Sequence, residues 1–220
     1  MLRKVNWKKQ IVLFGLLFLL PVSLYWFLGI SAKHHFETLP YKGEQQITGS
    51  DTSQYTLPAF SFLNHRGQRI TNDSLKGKIW LAAFYSTGHP LIASITNQLL
   101  PVNFKYRYEP GVKFVIFSTD PQQDTPEAMS DYVDRITKGY DPLEKWQFLS
   151  GRKTQVDSLM RFGFMIEKPD NTARVFLVDE EGHIRGSYSG NNDKELRHAV
   201  EDIGYLKKET DRRKKTENEN

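Results

Sequence analysis

The sequence predicts an α/β protein, because apolar runs of strand length alternate with segments of helical periodicity and both are bounded by Gly, Pro, Asn and Asp. Two runs decide the class. Residues 79–85 (IWLAAFY) and 112–117 (VKFVIF) are almost continuously apolar, as expected of central strands covered on both faces. A chain of 220 residues leaves room, once ends and linkers are subtracted, for about one domain of ~150 residues with a real core.

Taken in order, Arg3, Lys4, Lys8 and Lys9 in residues 1–10 precede IVLFGLLFLLPVSLYWFLGI, residues 11–30, which carries no charge. At 1.5 Å per residue that run is about 30 Å long as a helix, enough to cross a bilayer. The basic flank keeps residues 1–10 cytoplasmic, and Tyr25 and Trp26 suit the far interface. The expectation is a transmembrane anchor in the inner membrane with the globular domain on the exported, periplasmic side. A cleaved signal, with residues 11–20 as its core, a break at Pro21 and a cut after Ala32, is the competing reading. Both export the domain.

Residues 31–54 are polar and include Gly43, Gly49, Ser50 and Ser53, the composition of a tether. The domain proper is expected over residues 55–206. FSFLN, a turn at HRG and QRIT form a first hairpin, followed by the central strand at 79–85. Residues 90–106 read as helix until Pro101 interrupts it. After the second buried run, DTPEAMSDYVDRI opens a helix. Asp124 or Thr125 caps it, Pro126 fits the first turn, Glu127 favours the positive end of the dipole, and Ala128, Tyr132, Val133 and Ile136 share a face.

Residues 146–149 give a short strand, and KTQVDSLMRFG a helix with Val156, Leu159 and Met160 inward. RVFLVDEEGHIRGSYSG is a hairpin about Glu180 to Gly182, and residues 193–206 form a last helix with Leu196, Val200 and Ile203 on one face. Residues 207–220, KKETDRRKKTENEN, are almost wholly polar and are expected as a disordered, solvated tail. This order of elements describes a thioredoxin-like sandwich with an extra N-terminal hairpin.

The chemistry is bounded first by the absence of cysteine. A disulfide, a thiolate nucleophile, a zinc–thiolate site and a dithiol redox pair are all excluded. The net charge of +4 lacks the basic stripe with stacking aromatics that a nucleic-acid binder shows. No phosphate loop, HExxH or dinucleotide fingerprint occurs, so no enzymatic reading has positive support. Attention falls on FYSTGHPLIASITNQ, residues 84–98, a polar turn between the central strand and a helix.

Four blocks, FSFLNHRGQRITNDSLKGKIWLAAFYST, VKFVIFSTDPQQDTPEAMSDYV, WQFLSG and VFLVDEEGHIRGSY, resemble in order and spacing the Sco/SenC family. The likeness covers residues 57–206 and the anchor, and STDPxxDTP at residues 118–126 is its most telling motif. It implies a membrane-anchored thioredoxin-like protein of the kind that helps assemble the binuclear copper site of cytochrome c oxidase. In that family the turn reads T-x-C-P-x-x-C, which places the two cysteines at His89 and Ala93. A histidine ahead of the late strand falls at Asn171, where NTARVFL stands. All three ligand positions are therefore substituted, and Cu(I) prefers soft thiolates.

The resulting expectation is a non-enzymatic binding or scaffold factor without a resident cofactor, whose partner surface includes His89, Pro90 and Asn171. The partner would be a respiratory oxidase subunit or assembly factor. The alternative is a copper metallochaperone that improvises a site from His89 with Met160 and Met165, or with the tether pair His34 and His35. Both methionines read more simply as core around Phe162 and Phe164. His65, His183 and His198 read as surface residues, Asp124 as a cap and Asp120 as a turn residue. A Ser86, His89 and Asp120 triad lacks the nucleophile-elbow glycine pattern.

Overall fold

The computed structural model describes residues 38–42, 46–48, 51–141, 143–166 and 174–219, together with Gly15. The chain divides into two compact units, Met1–Glu37 and Thr38–Asn220. The expected span of residues 11–30 falls in the first, outside the described residues except for Gly15. Among the described residues no helix is long and apolar enough to cross a membrane. His34, His35 and Asn171 likewise lie outside the described residues.

The second unit is built on a seven-stranded mixed sheet. Its strands are β3 (Ser61–Asn64), β4 (Arg69–Thr71), β5 (Ile79–Phe84), β6 (Val112–Phe117), β7 (Trp146–Ser150), β8 (Arg174–Val178) and β9 (Ile184–Ser189). They lie in the order β4-β3-β7-β6-β5-β8-β9. A small antiparallel pair, β1 (Gln46–Thr48) and β2 (Asp51–Ser53), precedes them. β5, β6 and β7 run parallel, and β3–β4 and β8–β9 are the two expected hairpins.

Alternation along β5 feeds two cores. Ile79, Leu81, Ala83 and Tyr85 pack with α2 (Pro90–Lys105), α3 (Pro126–Thr137) and α5 (Asp193–Asn218) on one face. Trp80, Ala82 and Phe84 pack on the other with Phe60, Phe62, Phe117, Leu159 and Phe164. That second face carries α1 (Asn72–Leu75), α4 (Lys153–Ser158) and a π-helical turn, Leu159–Gly163. All six residues of β5 are buried, as a central strand covered on both sides requires.

α3 starts as its sequence predicts, with Pro126 at its first position and Thr125 accepting from the Ala128 amide. The exposed Glu127 carboxyl is held below its ordinary range by its own backbone amide and by the Thr125 hydroxyl.

Four expectations are corrected. α2 does not stop at Pro101 but continues to Lys105. Pro101 lies on the exposed face, and so does Asn97, whose carbonyl loses its helical partner to water. Leu99 and Val102 are buried on the other side, and at ~1.5–3 kcal/mol each they outweigh the ~3 kcal/mol cost of the proline.

The last helix does not end at Leu206 but runs to Asn218. Its second half is charged yet anchored: Lys207 pairs with Glu109, Glu209 with Arg185, Arg213 with Glu181, and Lys214 with Glu180, while Thr210 is buried.

His65 and His183 are buried rather than superficial. The His65 amide extends the ladder to Phe148 at 2.9 Å, which draws the residue into the sheet end, and burial pushes its imidazole pKa down. His183 is held by Asp179, which accepts from its amide at 2.9 Å. His198 is exposed beside Glu201, as expected.

Met160 is core, but Met165 is exposed with a positive φ of 56°. The chain leaves the π-helical turn there, with Ile166 N bonded back to Met160 O, and the Met165 side chain is turned outward. Phe162 is exposed as well, whereas Phe164 fills the aromatic core.

Candidate functional site

The turn of residues 85–90 leaves the C-terminal end of β5, where central strands of parallel sheets place their ligands. Tyr85 N donates to Phe117 O at 3.0 Å and Thr119 N to Tyr85 O at 3.3 Å, so the turn is laced to the loop that follows β6. That loop carries the STDPQQD stretch. Its Asp124, 1% exposed, accepts from Thr87 N at 2.9 Å and from the Thr87 and Ser118 hydroxyls, each at 2.5 Å. Asp124 is therefore no helix cap, which corrects its expected role: Thr125 caps, and Asp124 ties two loops together. The exposed Gln123 side chain lies over Gly88, where a Cβ would meet its amide end at 2.8 Å.

His89 ends the turn as the cap of α2. Its Nδ1 accepts from Leu91 N at 3.2 Å. In the neutral ring that leaves the proton on Nε2, so neither nitrogen offers a free lone pair while the cap is made. Pro90 and Ala93 follow on the exposed surface, and Ala93 has no donor atom. The ring of His89 lies 5.4 Å from that of Tyr85, whose buried hydroxyl has no hydrogen-bond partner. Burial alone holds the Tyr85 phenol well above its usual pKa.

Of the candidates for rebuilt metal chemistry, the described Met160 is out of reach of the turn. Met160 belongs to the core face opposite α2 and is 4% exposed. Among the described residues no group of three His, Cys, Asp or Glu side chains is placed to hold a metal ion. Ser86, His89 and Asp120 are not joined either: the Asp120 carboxylate accepts from Gln123 N at 3.3 Å, and His89 is engaged with Leu91. Ser86 and Asp120 offer only hard oxygen and Ala93 no donor, so among these turn residues His89 alone suits Cu(I), which prefers soft thiolate or thioether ligands. What the turn presents is a fixed surface of Gly88, His89, Pro90 and Ala93.

The SCO1/SenC family model matches residues 48–204. The chain belongs to the SCO1/SenC family. It is 28% identical over 173 residues to the SCO1 protein homolog of Bacillus subtilis (strain 168), covering 74% of this chain and 87% of that one. A SCO1/SenC family lipoprotein from Bacillus anthracis str. Ames superposes with a TM-score of 0.59 at 26% identity, over 69% of this chain and 95% of that structure. BsSco, a member of the Sco family of cytochrome c oxidase assembly proteins with a disulfide switch, aligns with a TM-score of 0.50 at 24% identity, over 66% and 94% of the two chains. The thioredoxin-like Sco architecture is thus shared. A disulfide switch is not, since this SCO1/SenC member has no cysteine.

The turn singled out in the sequence leaves β5 as expected, but the residues that tie it down were missed. Thr87 and Asp124 lie in separate blocks, and only the pairing of a hydroxyl in one with a carboxylate in the other hinted at contact. Tyr85 read simply as the end of a strand.

Proposed function

We propose that this SCO1/SenC protein is a membrane-anchored, non-redox binding or scaffold factor in cytochrome c oxidase assembly, single-pass in the inner membrane with its domain on the periplasmic side. Its partner is an oxidase subunit or another assembly factor, met through a surface that includes His89 and Pro90 of the turn and, by the family pattern, Asn171. The observation that carries this reading is the combination at residues 86–93. The turn is braced by Asp124, while the positions that the resemblance gives to the two thiols, 89 and 93, hold a capping histidine and an alanine. A site that had merely decayed would not need its brace, whereas a binding surface gains affinity from being preorganised.

Two measurements on the full chain test the proposal. Cu(I) titration against a competing chelator should leave no copper on the protein, and copper retention that disappears in His89→Ala would favour a metallochaperone instead. Affinity capture from solubilised membranes should recover an oxidase subunit or assembly factor, and Pro90→Asp should lose it. Recovery that is absent, or unchanged by Pro90→Asp, counts against the turn as the partner surface.

A further inference from the structure

Exposed aromatic side chains gather at the end of the sheet opposite the candidate turn. β5 and β6 begin there, α2 ends there at Lys105, and the segment after α3 returns there before β7. Phe104, Tyr108 and Tyr140 are 66%, 67% and 53% exposed. They form one cluster: the Arg107 guanidinium lies over the rings of Phe104 at 4.1 Å and Tyr108 at 4.9 Å, and the Tyr108 and Tyr140 hydroxyls are 3.2 Å apart. Residues 104–108 hold two cations and no carboxylate, and the next residue, Glu109, is paired with Lys207.

The chain also enters the domain at this end. Lys42 N donates to Ile184 O at 2.8 Å, and Arg185 donates to Leu39 O while its guanidinium lies 4.1 Å from the centre of the Tyr41 ring. Residues 39–42 are therefore fixed to the domain, so that of the expected tether, residues 31–54, only residues 31–38 precede the strap. Eight residues reach at most about 29 Å even when fully extended.

We propose that this aromatic and cationic pole docks on the surface of a bilayer that carries anionic lipid headgroups, leaving the turn of residues 85–90 facing away from the membrane. The proposal rests on the reading of residues 11–30 as an uncleaved span. A tether this short keeps the strapped end of the domain within reach of the headgroups. Amphipathic rings such as those of Tyr108 and Tyr140 are the side chains that settle at a membrane–water interface, and Lys105 and Arg107 supply attraction to anionic lipid. A soluble protein partner could also use exposed Tyr, Phe and Arg, but the tether favours the bilayer.

The absence of cysteine makes the test direct, because one introduced thiol labels uniquely. The full chain carrying Tyr108→Cys or Ala93→Cys is spin-labelled and reconstituted into nanodiscs of phosphatidylcholine with or without phosphatidylglycerol. The measurement is accessibility to a water-soluble paramagnetic relaxer. In anionic discs the label at position 108 should be several-fold less accessible than the label at 93, and the contrast should collapse in neutral discs and in Lys105→Glu/Arg107→Glu. Equal accessibility in anionic discs overturns docking while leaving the anchor intact. Protection that appears only when a membrane protein extract is added assigns the pole to a protein and equally overturns it. A chain that does not incorporate into discs removes both the anchor and the docking.

Discussion

Asp124 and Thr87, thirty-seven residues apart in sequence, are joined twice, through the Thr87 amide at 2.9 Å and the Thr87 hydroxyl at 2.5 Å. A third donor, the Ser118 hydroxyl, completes the coordination of a carboxylate that water does not reach. Asp124→Asn removes the charge that the three donors share and replaces one acceptor oxygen by an amide, so that the Ser118 hydroxyl must turn from donor to acceptor. Hydrogen bonds to a charged group contribute about 1.5–3 kcal/mol each, so the loss should be about 2–3 kcal/mol. In a domain of this size that lowers Tm by about 4–12 °C. Thermal unfolding of the two proteins checks it, and an unchanged Tm would deny Asp124 its bracing role.

What the sequence made legible is what local pattern encodes. The burial of β5 and β6 follows from uninterrupted apolar runs, and the start of α3 follows from Thr125, Pro126 and Glu127, all within one turn of chain. The misread features depend on partners remote in sequence. Residues 207–218 look incapable of burying anything, yet Glu109, Glu180, Glu181 and Arg185 hold them in a helix. Pro101 looks like a breaker until the burial of Leu99 and Val102 is weighed against it. At the site the same division holds: the turn of residues 85–90 is visible as a polar break between an apolar run and a helix, but Asp124 acts across two loops, and its neighbour Thr125 was an equally good cap.

Tyr85→Phe should stabilise the protein. The hydroxyl of Tyr85 is buried with no hydrogen-bond partner, beside Gly190, where a Cβ would lie 3.2 Å from it. An unsatisfied buried polar group costs about 1–3 kcal/mol, and the phenylalanine ring keeps the contact with His89 and its place in the core. A gain of about 1 kcal/mol, or roughly 2–4 °C in Tm, is expected. Destabilisation would mean that the hydroxyl is satisfied in solution, for example by a bound water.

Lys145 gives the stability a defined pH dependence. Its side chain is wholly buried and its Nζ donates to the carbonyls of Glu109 and Val112. Burial pushes its pKa from 10.5 down to about 8; Lys113 and Lys207 act in the same direction, and Glu109 and Asp141 oppose it. Between those two values the unfolded chain holds a proton that the folded chain has shed. Stability from this group therefore rises with pH across the window, is complete above 10.5, and is lost as pH falls through about 8. The upper bound is about 3 kcal/mol. Urea unfolding across the window should show a flatter pH profile for Lys145→Met than for the parent chain. Parallel profiles would place the titration elsewhere.

Arg185 is the residue on which the entry of the chain depends. It is 3% exposed, bonds Asp179 at 3.0 Å and Glu209 at 3.0 Å, donates to Leu39 O and covers the ring of Tyr41. Arg185→Ala strands Asp179, which is itself buried, without its cation, and breaking a buried pair in this way costs about 3–5 kcal/mol. The local consequence is separable from the global one. Residues 39–42 are held by a single backbone bridge, Lys42 to Ile184, by Leu39 against the core, by the edge contact of Tyr41 with His183 and by Arg185, which alone bonds Leu39 and covers Tyr41, so amide exchange at Lys42 should accelerate by more than exchange in β5. Arg185→Lys keeps the charge opposite Asp179 but cannot bond Asp179, Glu209 and Leu39 at once, and it should recover part of the stability while leaving the strap loose. If Lys42 exchanges no faster in either variant, residues 39–42 are held by something other than Arg185, and the short tether on which membrane docking relies would need another anchor point.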